Sequence, residues 1–145
     1  MITLRHVGIT VVDMEKSLAL YRDYFGLTVV WDQLEEGEFI DNLSGEKGVR
    51  VRTVKLRDEE GGMVELLQYY SHPRSNGANF TQKAMEVGCS HFALTVSDLD
   101  SVYGDLKKLG LRFNSSPKIS VDGKAKVCFC RDFDGTLMEL VEVIE

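Results

Sequence analysis

Two histidines and two glutamates stand out by type and spacing. His6 and His91 lie 85 residues apart (91 − 6 = 85), and Glu65 and Glu139 lie 74 apart (139 − 65 = 74). Both offsets belong to one internal repeat. Arg5–Leu27, RHVGITVVDMEKSLALYRDYFGL, returns as Ser90–Leu111, SHFALTVSDLDSVYGDLKKLGL, with Asp13 matching Asp98 and Gly26 matching Gly110 (110 − 26 = 84). KLRDEEGGMVELL then returns as FCRDFDGTLMELV, with Arg57 matching Arg131 and Gly61 matching Gly135. Imidazole and carboxylate together suit a borderline divalent ion such as Ni²⁺, Co²⁺, Zn²⁺, Fe²⁺ or Mn²⁺. If a pseudo-twofold relates the halves, two of each meet in a shared cleft. A lone histidine beside apolar strand residues is more often structural, and a lone glutamate in MVELL or LMELV more often faces solvent. The joint recurrence favours ligands. The third histidine, His72, has no counterpart and reads as a surface residue.

The elements that must position these four follow from local pattern. Leu4–Val12 is a β-branched strand, whose alternation puts His6, Gly8 and Thr10 on one face and Val7, Ile9 and Val11 on the other. Asp13 is an N-cap, with Glu15 in the first turn. Met14, Leu18, Tyr21 and Phe25 form a helical stripe for the Val7/Ile9/Val11 face, and Gly26 ends the helix. Strands are expected at Leu27–Gln33, Val49–Leu56 and Met63–Tyr70, with Leu34–Lys47 a loop holding about one helical turn. Ser71–Ala78 has linker composition, and Phe80–Val87 is a candidate short helix. The second half repeats the order: strand Ser90–Ser97, a helix capped by Asp98 and running through Leu109, then strands Leu111–Asn114, Lys124–Cys130 and Thr136–Ile144. The offset falls from 84 to 74 because the first half holds about ten extra residues, assigned to Leu34–Lys47. The domain plan is a module over 1–70, a linker over 71–89 and a second module over 90–145.

Composition sets the outer bounds. The chain has 145 residues, 43% hydrophobic and 28% charged, with net charge −6. That charge argues against nucleic acid as the partner, and no apolar run reaches a membrane span. The opening MITLRHVGITVV is not read as a signal peptide, so a cytoplasmic protein with a small-molecule substrate is expected. Cys89, Cys128 and Cys130 are an odd set without framework spacing and read as packing residues. Arg50, Arg52, Lys124 and Lys126 stand at matching places on inner strands and are candidates to hold an anionic substrate, against the alternative of a solvated face. Tyr69, on the Glu65 face, is a candidate pocket residue, against plain core packing.

His6 followed by VVDMEKSLALYRDYFGL, the SHFALTV strand, and RDFDG followed by LMELVE together resemble the vicinal-oxygen-chelate superfamily. That group includes glyoxalase I, methylmalonyl-CoA epimerase, fosfomycin-resistance proteins, extradiol dioxygenases and bleomycin-binding proteins. The resemblance covers essentially the whole chain. It implies an α+β fold of two βαβββ modules, their eight strands forming a curved mixed sheet, a cup around a metal cleft, and commonly a homodimer. The order His6, Glu65, His91, Glu139 is similar to bacterial glyoxalase I. Epimerase relatives usually have His or Gln at the Glu65 position, and bleomycin-binding relatives generally lack the set. The linker and the EFIDNLSG insertion depart from compact bacterial glyoxalases, and the family's glutathione-contacting residues are not matched one by one, which leaves the substrate open. The resemblance implies a metal-dependent lyase or isomerase in which Glu65 or Glu139 moves a proton α to a carbonyl. The alternatives are an extradiol-type dioxygenase using Fe²⁺ and a non-catalytic small-molecule (antibiotic) binding protein.

Overall fold

The computed structural model describes residues 1–72 and 82–144. The chain divides into two compact units, Met1–Gly77 and Ala78–Glu145, each of which is taken on its own.

In the first unit, β1 (Val7–Thr10) leads into α1 (Met14–Leu18), which continues as a π-helical segment over Ala19–Tyr24. Then come β2 (Thr28–Glu36), α2 (Glu38–Ser44), β3 (Arg50–Arg57) and β4 (Met63–Tyr69). The sheet order is β1-β4-β3-β2, with β1 parallel to β4 and the other pairs antiparallel. Register fixes the faces. Ile9, Leu66 and Val54 align across β1, β4 and β3, as do Val7, Val64 and Leu56. Five of these six are buried, Val7 being half-buried, and they share the core with Met14, Leu18 and Tyr21. The apolar stripe of α1 therefore sits where alternation put it.

The second unit repeats this plan: β5 (His91–Thr95), α3 (Leu99–Lys108), β6 (Arg112–Phe113), β7 (Lys118–Ile119), β8 (Ala125–Arg131) and β9 (Leu137–Val143). Its order is β5-β9-β8-β6, with the two-residue β7 also paired to β8. Leu99 and Leu106 of α3 share its core with Met138 and Leu140 of β9 and Cys128 and Cys130 of β8. The fold is α+β, with four strands in the first sheet and four along the main path of the second, β7 being an addition.

Helices α1 and α3 begin alike. The Asp13 carboxylate accepts from the Glu15 and Lys16 amides, and Asp98 accepts from Ser101. A second acceptor comes from the last strand of each unit: Gln68 takes the Met14 N–H at 2.7 Å, and Glu142 takes the Leu99 N–H at 2.7 Å. These satisfy amides that no helical turn can reach.

They end differently by one residue. Along α3, Leu111 donates to the Leu106 carbonyl and Gly110 to Lys107, a Schellman closure around a left-handed Gly110 (φ +90°). After α1, Leu27 donates to Tyr21 and Gly26 to Arg22, each loop one residue wider, with Gly26 at φ +78°. Phe25 donates to Leu20 at 2.9 Å, an i→i−5 bond. The residue by which the repeat offset slips from 85 to 84 is thus absorbed as a π turn.

Three expectations need correction. Leu34–Lys47 is not a loop: β2 runs on to Glu36 and α2 fills Glu38–Ser44. Ile40 turns inward against Val49 and Val51, and the Asp41 carboxylate accepts from the Gly48 and Val49 amides. The helix had no visible period because only one of its seven residues is buried. Phe80–Val87 is not helical over its described part, where the Glu86 amide closes a turn onto Lys83; Phe80 and most of the Ser71–Ala78 segment lie outside the described residues. The strand expected over Leu111–Asn114 is only Arg112–Phe113, and β7 was not foreseen.

Candidate functional site

His6 precedes β1, and Glu65 sits on β4 opposite Gly8, on the sheet face away from α1. His6 Nε2 stands 3.6 Å from Glu65 Oε1. In the second unit Glu139 of β9 lies opposite Ala93, and His91 Nε2 stands 3.4 Å from Glu139 Oε2. Glycine and alanine are thus the neighbours of the two carboxylates on the first strand of each unit.

Both separations exceed a good hydrogen bond and suit a bridged pair. Ligand atoms each about 2.1 Å from one ion lie about 3.0 Å apart at an octahedral edge and about 3.4 Å apart at a tetrahedral one. The donor chemistry, neutral imidazole with carboxylate, fits a borderline divalent ion. His91 is oriented from behind: its Nδ1 meets Ser90 Oγ at 2.8 Å, and its ring packs edge-on to Phe129 with centroids 5.0 Å apart. His6 has no such support among the described residues, where its buried Nδ1 has no partner. Within either unit no third His, Cys, Asp or Glu joins the pair among the described residues. Each unit therefore presents two ligand-type groups.

The basic residues fall on the other side. Arg52 aligns with Gln68, whose side chain reaches the start of α1. Its guanidinium holds Asp32 at 2.8 Å and Glu15 at 2.7 Å. Those hydrogen bonds, Asp32 first, raise the arginine further and hold the Asp32 carboxyl below its usual range. Lys126, the repeat equivalent, aligns with Glu142 and pairs with Asp100 at 2.8 Å, which raises its ammonium. Arg50 pairs with Glu36 and lies over Tyr70; Lys124 is exposed at the turn before β8. None of the four shares a face with Glu65 or Glu139. Tyr69 does share the Glu65 face, but with Leu67 it packs against Ile40, Val49 and Val51.

Cys128 and Cys130 also lie on the helix side, aligned with Leu140 and Met138. Burial pushes their thiols up to about 11 and about 12, so they stay protonated and behave as packing groups. Cys89 is exposed.

Sequence reading missed the cross-strand neighbours of the two carboxylates. Lys55 is opposite Glu65 and Phe129 is opposite Glu139. The signal was present in the matching turns: with Arg57 facing Met63 and Arg131 facing Leu137, counting two residues in each direction reaches both pairs.

Comparison with known proteins places these features. Residues 3–140 match the family model described as the Glyoxalase/Bleomycin resistance protein/Dioxygenase superfamily. The chain is 34% identical to an ethylmalonyl-CoA/methylmalonyl-CoA epimerase of Cereibacter sphaeroides, over 97% of each chain. It is 30% identical to a lactoylglutathione lyase of Schizosaccharomyces pombe, over 98% of this chain and 48% of that protein, so it spans about half of that relative. A glyoxalase family protein from Bacillus cereus has the same fold, with a TM-score of 0.88 at 19% identity, over 100% of this chain and 96% of that one.

Proposed function

Because the chain belongs to the glyoxalase/bleomycin resistance protein/dioxygenase superfamily, we propose that it is a metal-dependent lyase or isomerase acting on a small α-carbonyl substrate. His6, Glu65, His91 and Glu139 are the ligands of one divalent ion. The observation carrying this is the recurrence of one geometry: an imidazole and a carboxylate oxygen 3.6 Å apart in one unit and 3.4 Å apart in the other. On this reading the protein is a homodimer that works in the cytoplasm.

A bound divalent ion supplies Lewis-acid stabilisation of the negative charge that develops on the substrate oxygens. The chain's own residues do the rest. His6 and His91 present Nε2, with Ser90 steadying His91 through Nδ1. Glu65 or Glu139 removes the proton α to the carbonyl and returns it. Return to the neighbouring carbon gives the lyase or isomerase outcome, and return to the opposite face of the same carbon gives epimerisation. The 34% identity to an acyl-CoA epimerase over 97% of both chains supports the second outcome, while glutamate at position 65 supports the first. The proton step is common to both.

Metal analysis of the purified protein, followed by hemithioacetal, acyl-CoA and catechol substrates in deuterated water, tests this reading. Deuterium incorporation is expected, with Glu65→Gln and Glu139→Gln inactive and His6→Ala and His91→Ala deficient in metal. Full activity in both glutamine variants refutes the proton-transfer role. A metal-free protein unchanged by His6→Ala would be a binding protein, and oxygen-dependent ring cleavage would make it a dioxygenase.

A further inference from the structure

The ligand-bearing face of the first sheet carries a cation that metal ligation does not use. At the level of Glu65, register places Lys55 on β3 and Trp31 on β2 in the same row. Lys55 Nζ lies 3.9 Å from Glu65 Oε2, beyond hydrogen-bond reach, and 5.4 Å from the Trp31 ring centroid. No hydrogen bond to another described residue engages the ammonium, and its side chain is 34% exposed. The lysine therefore presents donors to solvent over an aromatic floor. Its repeat equivalent, Phe129 (129 − 55 = 74), is apolar and packs on His91. The cation is a feature of one unit alone.

We propose that Lys55, flanked by Trp31, binds a carboxylate of the ligand beside the His6–Glu65 pair. The proposal rests on reading His6 and Glu65 as ion ligands. Glu65 is the counter-charge nearest to Lys55 on this face. Once its carboxylate is shared with a divalent ion, the lysine charge is left without full compensation, and an arriving anion supplies it. Three N–H donors can then meet carboxylate oxygens, and the half-buried setting strengthens that contact relative to water. Arg50 and Arg52, on the opposite face with acidic partners of their own, cannot serve. A substrate with a free carboxylate is selected over a neutral dicarbonyl, with its anionic end towards β2 and β3.

Trp31 is the only tryptophan in the chain, so its fluorescence reports on this position. The test titrates malonate and its neutral analogue malonamide into wild type, Lys55→Met and Lys55→Arg, each loaded with Zn²⁺ and each stripped by chelator. Malonate is expected to change the emission saturably and malonamide to leave it unchanged. Loaded Lys55→Met should bind malonate about tenfold more weakly or worse, the scale of one charge-assisted hydrogen bond, and Lys55→Arg should recover most of that loss. Equal malonate affinity in Lys55→Met, equal binding of malonamide, or no malonate response in either form overturns the proposal. If Zn²⁺ does not bind, the functional reading fails by itself, and the Lys55 dependence in stripped protein still decides this one.

Discussion

Replacing Ser90 by alanine probes the support of the second ligand pair without touching a ligand. Ser90 Oγ lies 2.8 Å from His91 Nδ1, and with the Phe129 edge contact it fixes which way the imidazole faces. Loss of such an outer partner typically costs 10–100-fold in metal affinity, about 1.4–2.7 kcal/mol. The contact is exposed to solvent, so water partly replaces the hydroxyl and the loss should sit near tenfold. The matching residue in the first unit is Arg5, and His6 Nδ1 has no partner among the described residues. Arg5→Ala should therefore leave affinity within about twofold. Competition for Zn²⁺ against a chromophoric chelator at neutral pH measures both variants, with thermal melting as the check on folding. If Ser90→Ala binds as wild type does while His91→Ala loses the ion, the hydroxyl does not orient the ring. If Arg5→Ala weakens binding as much, the asymmetry between the pairs is not real.

Other outcomes follow from the same contacts. Arg52→Met should cost about 1 kcal/mol in urea denaturation while leaving malonate affinity unchanged, the reverse of Lys55→Met; weaker malonate binding in this variant would return Arg52 to the site. Asp41 is held below its usual carboxylate range by the Gly48 and then the Val49 amides. Its contribution is therefore present above the unfolded value of about 3.9 and lost as pH falls through the lower folded value. Asp41→Ala should lower Tm at pH 7 and by much less at pH 3, and an equal deficit at both would contradict this. Deleting Asp23 shortens the widened turn after α1 by one residue; because α3 closes with one residue fewer, the chain should stay folded with helical circular dichroism intact, and collapse would show that the π turn is required. Leu66→Ala, fully buried beneath α1, should destabilise by about 2–5 kcal/mol, and a loss under 1 kcal/mol would mean the core closes over the gap.

What the chain could reveal unaided is what short-range pattern encodes. The repeat, the caps Asp13 and Asp98, the glycines that end both helices, and the four ligand-type residues all follow from residue type and periods of two or 3.6. The α+β fold and the superfamily follow with them. Strand alternation even placed His6 on the side away from the α1 stripe. It did not assign Arg50, Arg52, Lys124 and Lys126 to a face, because a face has meaning only once a strand is in register with its neighbour. Register is non-local: it set Lys55 across from Glu65 and turned Arg52 towards Asp32 and Glu15. The α2 helix escaped notice because six of its seven residues remain outside the core, so tertiary contact through Ile40 and Asp41, not amphipathic pattern, holds it. The slip from 85 to 84 was visible as arithmetic, but only hydrogen bonding showed that a π turn absorbs it. Composition and spacing thus singled out four candidate ligands; packing decided which neighbours face them.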